Sequence, residues 1–341
     1  MSSLGRRVRR AAMVGLTAAA LTGLLGASAV AAPFEATAPA ALTSTTDVYI
    51  KDVAADVGVQ PHNLNPLWAS PDIKVCPNPT ECAVSQNPIV GVTNYIFVKL
   101  RNPGPYGSGV GTGTLQVYRT TPGGGAVWPA HWTQIGAAYV TVNPGVTTVI
   151  IPWTGVPGPG HFCLLARWVS ATDPMTIDGP DINLNTRYNN NVAWRNVDSV
   201  QLGAGQTTPA VRPFAIGNSL RVPSRNEVVF NAVEPLQGIG GRVVVDLGPD
   251  LFERWRAGGA VGTGVRPIGR TQVEIVEPTR ASLGNLTLNP GERVQFSLLF
   301  SATTASDREI AFNVTQFGPD ASGAERTDLG GVQYLITAAK R

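Results

Sequence analysis

The sequence predicts an all-β protein of two tandem sandwiches behind a cleaved leader, and three observations predict it. Short runs of Val, Ile, Thr, Tyr and Trp recur along the chain, separated by clusters drawn from 38 Gly and 27 Pro in 341 residues. Charged residues make up only 14% of the total, and the first half shows no sustained helical periodicity. Such punctuation favours many short strands over helices. Finally, the N-terminus has the three parts of a secretory signal peptide.

In that leader Arg6, Arg7, Arg9 and Arg10 precede an apolar run from Ala11 to about Leu25 and the small residues ASAVAAP. A membrane span would need about 20 apolar residues. This run is shorter and is interrupted by Gly15, Thr17, Thr22 and Gly23. Cleavage is expected after Ala31, with Ala29 as second choice, so residues 1–31 are read as signal peptide. The paired arginines suggest twin-arginine export, but Val8, Arg9, Arg10 and Ala11 lack the apolar pair that such signals favour, and general secretion is the expectation. Residues 32–46, mostly Ala, Thr and Pro, have little to bury and read as a disordered spacer. About 310 residues then remain, enough for two ordinary domains. The formal charge of +3 includes the four leader arginines, so the mature chain is near neutral. Composition therefore gives no support for nucleic acid or acidic lipid as a partner. No later run is a candidate span. The absence of a lipobox cysteine and of a sorting motif favours a secreted, extracellular protein released from the cell.

The first domain is expected over residues 47–200. Its strand candidates are 47–52, 92–102, 113–120, 135–142, 147–153, 161–169 and 192–200. In the second of these Val92, Ile96, Val98 and Leu100 alternate with Tyr95, Phe97, Lys99 and Arg101, the pattern of a half-buried antiparallel strand. In Phe162–Trp168 both faces are apolar up to Arg167, as in a central strand. Asn102-Pro103-Gly104, Pro122-Gly123-Gly124, Asn143-Pro144-Gly145 and Pro157-Gly158-Pro159-Gly160 supply turns. About seven strands at this spacing give an immunoglobulin-like sandwich. Cys76 and Cys82 flank the turn-forming CPNPTEC, and a disulfide is expected there in an exported chain. Cys163, inside HFCLLARW, reads as a small buried hydrophobe. Its alternative role, a nucleophile served by His161 on the same strand face, stays open.

DVYIKD, NYIFVKLRNPG, GTLQVY, WPAHW, IPWTGVPGPGHFCLLARW and NTRYNNNVAWRNV, in that order, resemble the immunoglobulin-like modules of exported bacterial proteins, similar to the adhesion-related CARDB-type domains. The resemblance covers about 150 residues, just under half the chain. It implies a fold and an accessory role, and it carries over no catalytic residues, because the modules share none.

GAGQTTPA, within residues 201–211, has linker composition. The second domain, 212–341, resembles only generic sandwich modules and holds no cysteine. Its strand candidates are 227–232, 242–247, 270–276, 283–288, 294–301, 309–317 and 333–337. In the fifth, Val294, Phe296, Leu298 and Phe300 share one face. Pro249–Trp255 reads instead as a short helix, with Asp250 near its positive end and Leu251 and Trp255 as a buried pair. It is either a loop capping the sandwich or a knob for a partner.

Two constellations could carry chemistry. Asp173, Asp178, Asp181, Asn183 and Asn185, followed by Asn189, Asn190 and Asn191, crowd hard oxygen donors of the kind calcium takes. An EF-hand is excluded, since Thr186 stands where its turn glycine belongs and Val192 where its bidentate Glu belongs. The alternative is a long turn in which Asn and Asp side chains bond their own backbone, with Arg187 and Arg195 as partners for the aspartates. The second constellation is Trp128, Trp132, Tyr188 and Trp194, accompanied by Trp153 and Trp168. Exposed rings of this kind would bind a glycan or a protein, and the alternative is rings folded over the sandwich edge.

No metalloprotease, nucleophile-elbow or phosphate-loop motif is present. Gly109–Gly113 precedes a strand, and the scattered acids form no pair for glycoside hydrolysis. Asn285 and Asn313 begin N-glycosylation sequons, a short pattern common by chance. The expectation is an exported, non-catalytic binding, adhesion or scaffolding protein with a protein or glycan partner outside the cell. It calls for no cofactor beyond a structural calcium. The rivals are a hydrolase around His131, His161 and the 173–181 loop, and an accessory subunit of a larger exported assembly.

Overall fold

The computed structural model describes residues 45–158, 160–320, 323 and 326–340. The expected signal peptide, and the spacer as far as Ser44, lie outside them. The first half runs through β1 (Ile73–Cys76), β2 (Asn94–Asn102), β3 (Gly111–Thr120), β4 (Thr133–Val142), β5 (Gly145–Trp153), β6 (Cys163–Val169), α1 (Ile182–Tyr188) and β7 (Val192–Arg195). The second half begins with β8 (Val197–Gly203), β9 (Ala210–Gly217), β10 (Ser224–Ala232), β11 (Arg242–Asp246) and α2 (Gly248–Ala257). It continues with β12 (Gly262–Thr263), β13 (Val265–Ile268), β14 (Gln272–Ile275), β15 (Ala281–Leu288), β16 (Arg293–Ser301), β17 (Ser306–Pro319) and β18 (Arg326–Ala339).

The protein is all-β, with two sandwiches. One stacks the sheet β1-β2-β5 on β4-β3-β6-β7, and the other stacks β12-β15-β10-β17-β18-β8 on β13-β14-β11-β16-β9. The alternation read in β2 buries Ile96, Val98 and Leu100 in the first core. That in β16 buries Phe296, Leu298 and Phe300 in the second. β6 is apolar on both faces because Leu164, Ala166 and Trp168 enter the first core while Cys163 and Leu165 enter a third cluster on the other side. The α2 helix forms over the expected residues, with Leu251, Phe252 and Trp255 buried. Its Trp255 Nε1 donates to Val261 O at 2.8 Å.

Three expectations differ from the structure. Val48 and Ile50 are fully buried, but their segment makes only a bridge between Tyr49 and Arg101. The flanking amides turn elsewhere, Val48 N–H to Asp173 Oδ2 and Ile50 N–H to Asn190 O, so no ladder extends. Within the asparagine-rich run, α1 forms where a turn was expected, because Asp181 accepts from the amides of Asn183 and Leu184 and caps it. The expected closing strand 192–200 divides at Asn196. β7 stays with the first sandwich, whereas β8 pairs in parallel with β18, setting Asp198 opposite Tyr334. Val200 and Leu202 therefore enter the second core. The strand pairing thus hands the second sandwich a strand that had been assigned to the first domain and its linker. A period-2 pattern tells which face is buried and not which sheet a strand joins.

Asn196 is completely buried at this crossing. Its N–H donates to Trp68 O, its Nδ2 donates to Gly331 O, and its carbonyl accepts from Gln333 N–H. A second contact joins Pro122–Gly125 to β9 backbone to backbone: Ala215 N–H donates to Pro122 O at 2.8 Å and Gly124 N–H to Ala215 O at 2.9 Å. Gly125 N–H reaches Leu329 O at 2.7 Å. All described residues fall in one contact unit.

Gly123 at this seam has φ +130°, and a Cβ there would lie 2.0 Å from Ala215 O. Gly205 also has positive φ (+73°), but open space surrounds it. Gly205→Ala should therefore cost only the backbone penalty, about 1 kcal/mol, whereas Gly123→Ala should cost on the order of 2–4 kcal/mol. Urea unfolding of the two variants measures the difference, and equal losses would remove the seam contact as a source of stability.

Candidate functional site

Cys76 and Cys82 form the expected disulfide. The candidate calcium donors face separate tasks. Asp173 Oδ2 accepts from Val48 N–H at 2.8 Å, and Asp178 pairs with Arg167 at 2.7 Å. Asp181 caps α1. Asn183 donates to Asp328 O at 2.6 Å. Asn185 both accepts from and donates to the backbone of Gly179. Among the described residues no group of three or more His, Cys, Asp or Glu is placed to hold a metal. Asn189 likewise accepts from the amides of Thr176 and Ile177 and donates to Ile177 O and Asn185 O. Arg187 and Arg195 were expected to pair with the aspartates, but they donate to carbonyls of His62 and Ser70.

The aromatic candidates require a correction. Trp128 and Trp132 are each 8% exposed and Trp194 is 1% exposed; of the four, Tyr188 alone is open, at 40%. The three tryptophans lie with Trp68, Leu165 and Ile182 in the third cluster. Indole rings are large enough to close the layer between the four-stranded sheet and the second sandwich. A Cβ on Gly330 would meet Trp194 at 2.9 Å, and one on Gly331 would meet Trp68 at 2.7 Å. Arg167 lies over the Trp128 ring at 4.2 Å.

The histidines and Cys163 form no hydrogen-bonded set among the described residues. His161 is buried beside Asp198, Nδ1 to Oδ2 3.5 Å, and burial pushes its pKa down despite that carboxylate. Asp198 is also approached by Arg212 at 2.8 Å and accepts from Asn87 Nδ2 at 2.6 Å. Burial pushes the Cys163 thiol well up, away from the thiolate a nucleophile needs. His131 sits elsewhere, its Nδ1 accepting from Val127 N–H at 3.0 Å.

Two grooves at the seam draw their lining from both sandwiches. One holds Asn65, Asn231, Asn313, Thr315, Arg326 and Asp328. In it burial raises the Asp328 carboxyl to about 6, although Gly330 N–H donates to it. The other is lined by Arg119, Thr120, His131 and Thr133 from the first sandwich and by Arg293 and Gln295 from the second. Arg293 donates to the carbonyls of Thr121 at 2.9 Å and Gly124 at 3.4 Å. Burial pulls its pKa down to about 10. No local pattern of residues marks this second set. Arg119 lies at the end of one strand and Arg293 opens another 174 positions on, and the pairing of Gly123 with Ala215 helps to bring those strands together.

No family model and no curated protein matches the chain. Among solved structures, it is similar to a red sea bream transglutaminase at 13% identity and TM-score 0.22, over 79% of this chain and 31% of that one. It is also similar to the CupB6 tip adhesin of Pseudomonas aeruginosa (8% identity, TM-score 0.23, 79% of this chain and 98% of that one). The collagen adhesin CNA of S. aureus matches at 10% identity and TM-score 0.25, over 78% of this chain and 92% of that one. The chain thus spans about a third of the transglutaminase. Its sandwich fold follows from the strand pairings above.

Burial raises Asp173 from 3.8 to about 7. Between those values the folded protein holds a proton that the unfolded chain has released, so this group's contribution to stability declines as pH rises towards 7 and is flat above it. Asp173→Asn keeps an acceptor for Val48 N–H and removes the charge. Relative to the parent it should gain about 2–4 kcal/mol between pH 4 and pH 8. Urea midpoints across that range measure the gain, and a constant difference would show that Asp173 does not titrate in this window.

Proposed function

We propose that the chain is an exported, non-catalytic binding protein of adhesion or scaffolding type, with its ligand surface at the seam of its two immunoglobulin-like sandwiches. The observation that carries this reading is the pair of concave grooves at the seam, each with polar side chains contributed from both halves. Ligand sites favour such junctions, because two packed bodies create concavity that a single convex sandwich lacks. Side chains mounted on strands also hold their positions better than side chains on loops. A disulfide between Cys76 and Cys82 supports an oxidising compartment outside the cytoplasm. The ordered resemblance of residues 47–200 to CARDB-type modules supports an accessory role for the first sandwich.

The state of the reactive groups favours binding over turnover. His161 is committed to Asp198 and Asp178 to Arg167, and Cys163 is a buried neutral thiol. The purified mature chain, immobilised and presented with extracellular polysaccharides and envelope proteins in calcium or in chelator, should retain one class of partner saturably. Turnover of a defined substrate that disappears on changing one residue would contradict the reading.

A further inference from the structure

The groove between the end of β3 and the start of β16 has an unusual charge balance. Among the described residues Arg293 donates hydrogen bonds only to carbonyl oxygens, which leaves guanidinium N–H groups undirected. Arg119 lies with its guanidinium carbon 5.2 Å from the centre of the Phe162 ring. Neither arginine makes an ion pair among the described residues, whereas Arg101, Arg167, Arg212, Arg242 and Arg254 each hold a carboxylate. No Asp or Glu lines the groove.

The neutral groups in the groove are donors as well. His131 uses Nδ1 as an acceptor, so in the neutral ring the proton resides on Nε2. The field of Arg293 adds to burial in keeping that ring uncharged. Thr120 is 4% exposed, and its Oγ1 is buried without a partner. A buried hydroxyl left unpaired is costly, and so is a desolvated cation such as Arg293 without a counter-ion. The seam maintains this arrangement through backbone contacts, as a preorganised site does.

We propose that this groove binds an oxyanion, a carboxylate or a phosphate or sulfate group on the extracellular ligand, with Arg119 and Arg293 as its charge partners and Thr120 Oγ1 and His131 Nε2–H as its neutral donors. The proposal rests on the binding role inferred above and names the chemistry of its ligand. Guanidinium groups present paired N–H donors that match two oxygens of one anion, and a partly dry groove strengthens each such bond. An anion bound here supplies the missing counter-charge, so it stabilises the folded chain by mass action.

Thermal unfolding and calorimetric titration of the whole mature chain test this, using sodium phosphate, sulfate, acetate and glucuronate against sodium chloride at matched ionic strength. The expected result is saturable, one-to-one stabilisation by at least one of the four. Tighter binding of phosphate or sulfate assigns a tetrahedral group, and tighter binding of acetate or glucuronate assigns a carboxylate. Arg119→Gln, at a half-exposed position, should weaken the binding roughly tenfold or more, and Arg293→Gln should abolish it. Arg225→Gln, at an exposed position elsewhere, should leave it unchanged. If Arg293→Gln fails to fold, Arg119→Gln and Thr120→Val decide the matter, each expected to weaken the anion binding. Stabilisation no greater than that given by chloride, or stabilisation indifferent to Arg119→Gln, overturns the proposal. A chain that retains its macromolecular partner while ignoring all four anions overturns the groove and leaves the binding role standing. Saturable anion binding without any retained partner has the opposite consequence.

Discussion

The backbone contact between Pro122–Gly125 and Ala215–Gly217 fixes how the two sandwiches meet. A turn of one sandwich and a strand of the other approach so closely that a side chain at Gly123 would overlap the opposing carbonyl, and the buried amides are satisfied across the gap. A buried amide without a partner costs about 1–3 kcal/mol, so these hydrogen bonds tie the position of one sandwich to that of the other. Asn196 does the same at the chain crossing, where one side chain and its own peptide group serve Trp68, Gly331 and Gln333. Asp198 completes the join. It is fully buried and surrounded by Asn87, Arg212 and His161, so removing any one partner would leave charge or polarity uncompensated.

The seam explains two features that would otherwise look unrelated. The tryptophans are buried because the outer face of β6 and β7 is covered: Trp194 and Trp68 lie against the glycine backbone of β18 and continue the interior from one sandwich to the other. The cationic groove exists because the same contact sets the end of β3 beside the start of β16. Packing on one side of the seam and an open polar concavity on the other are products of one geometry. Relative motion of two loosely linked modules would destroy both.

Much of this architecture was legible in the residues. Alternation in β2 and β16 marked the faces that became cores, the two-faced apolar run of β6 marked a central strand, and Leu251 and Trp255 marked α2. CPNPTEC marked the disulfide. What escaped was information that is not local. The run from Val192 to Val200 holds no glycine or proline, and nothing in it says that Asn196 is where the chain changes sheets. Gly123 and Gly124 read correctly as a turn, but their second use, close approach to another backbone, depends on residues about 90 positions away. The asparagines looked like cation donors because their oxygens are numerous; Asn185 and Asn189 spend theirs on backbone amides beside α1. Indole rings look the same in a sequence whether they face solvent or a neighbouring sandwich.

The seam should make one cooperative body of the two sandwiches. Differential scanning calorimetry of the mature chain tests it most directly, by comparing the calorimetric enthalpy with the van't Hoff enthalpy. A single transition with equal enthalpies is expected. Two resolved transitions, or a calorimetric enthalpy about twice the van't Hoff value, would show that the sandwiches unfold independently and that the seam is a contact between modules and not part of their stability.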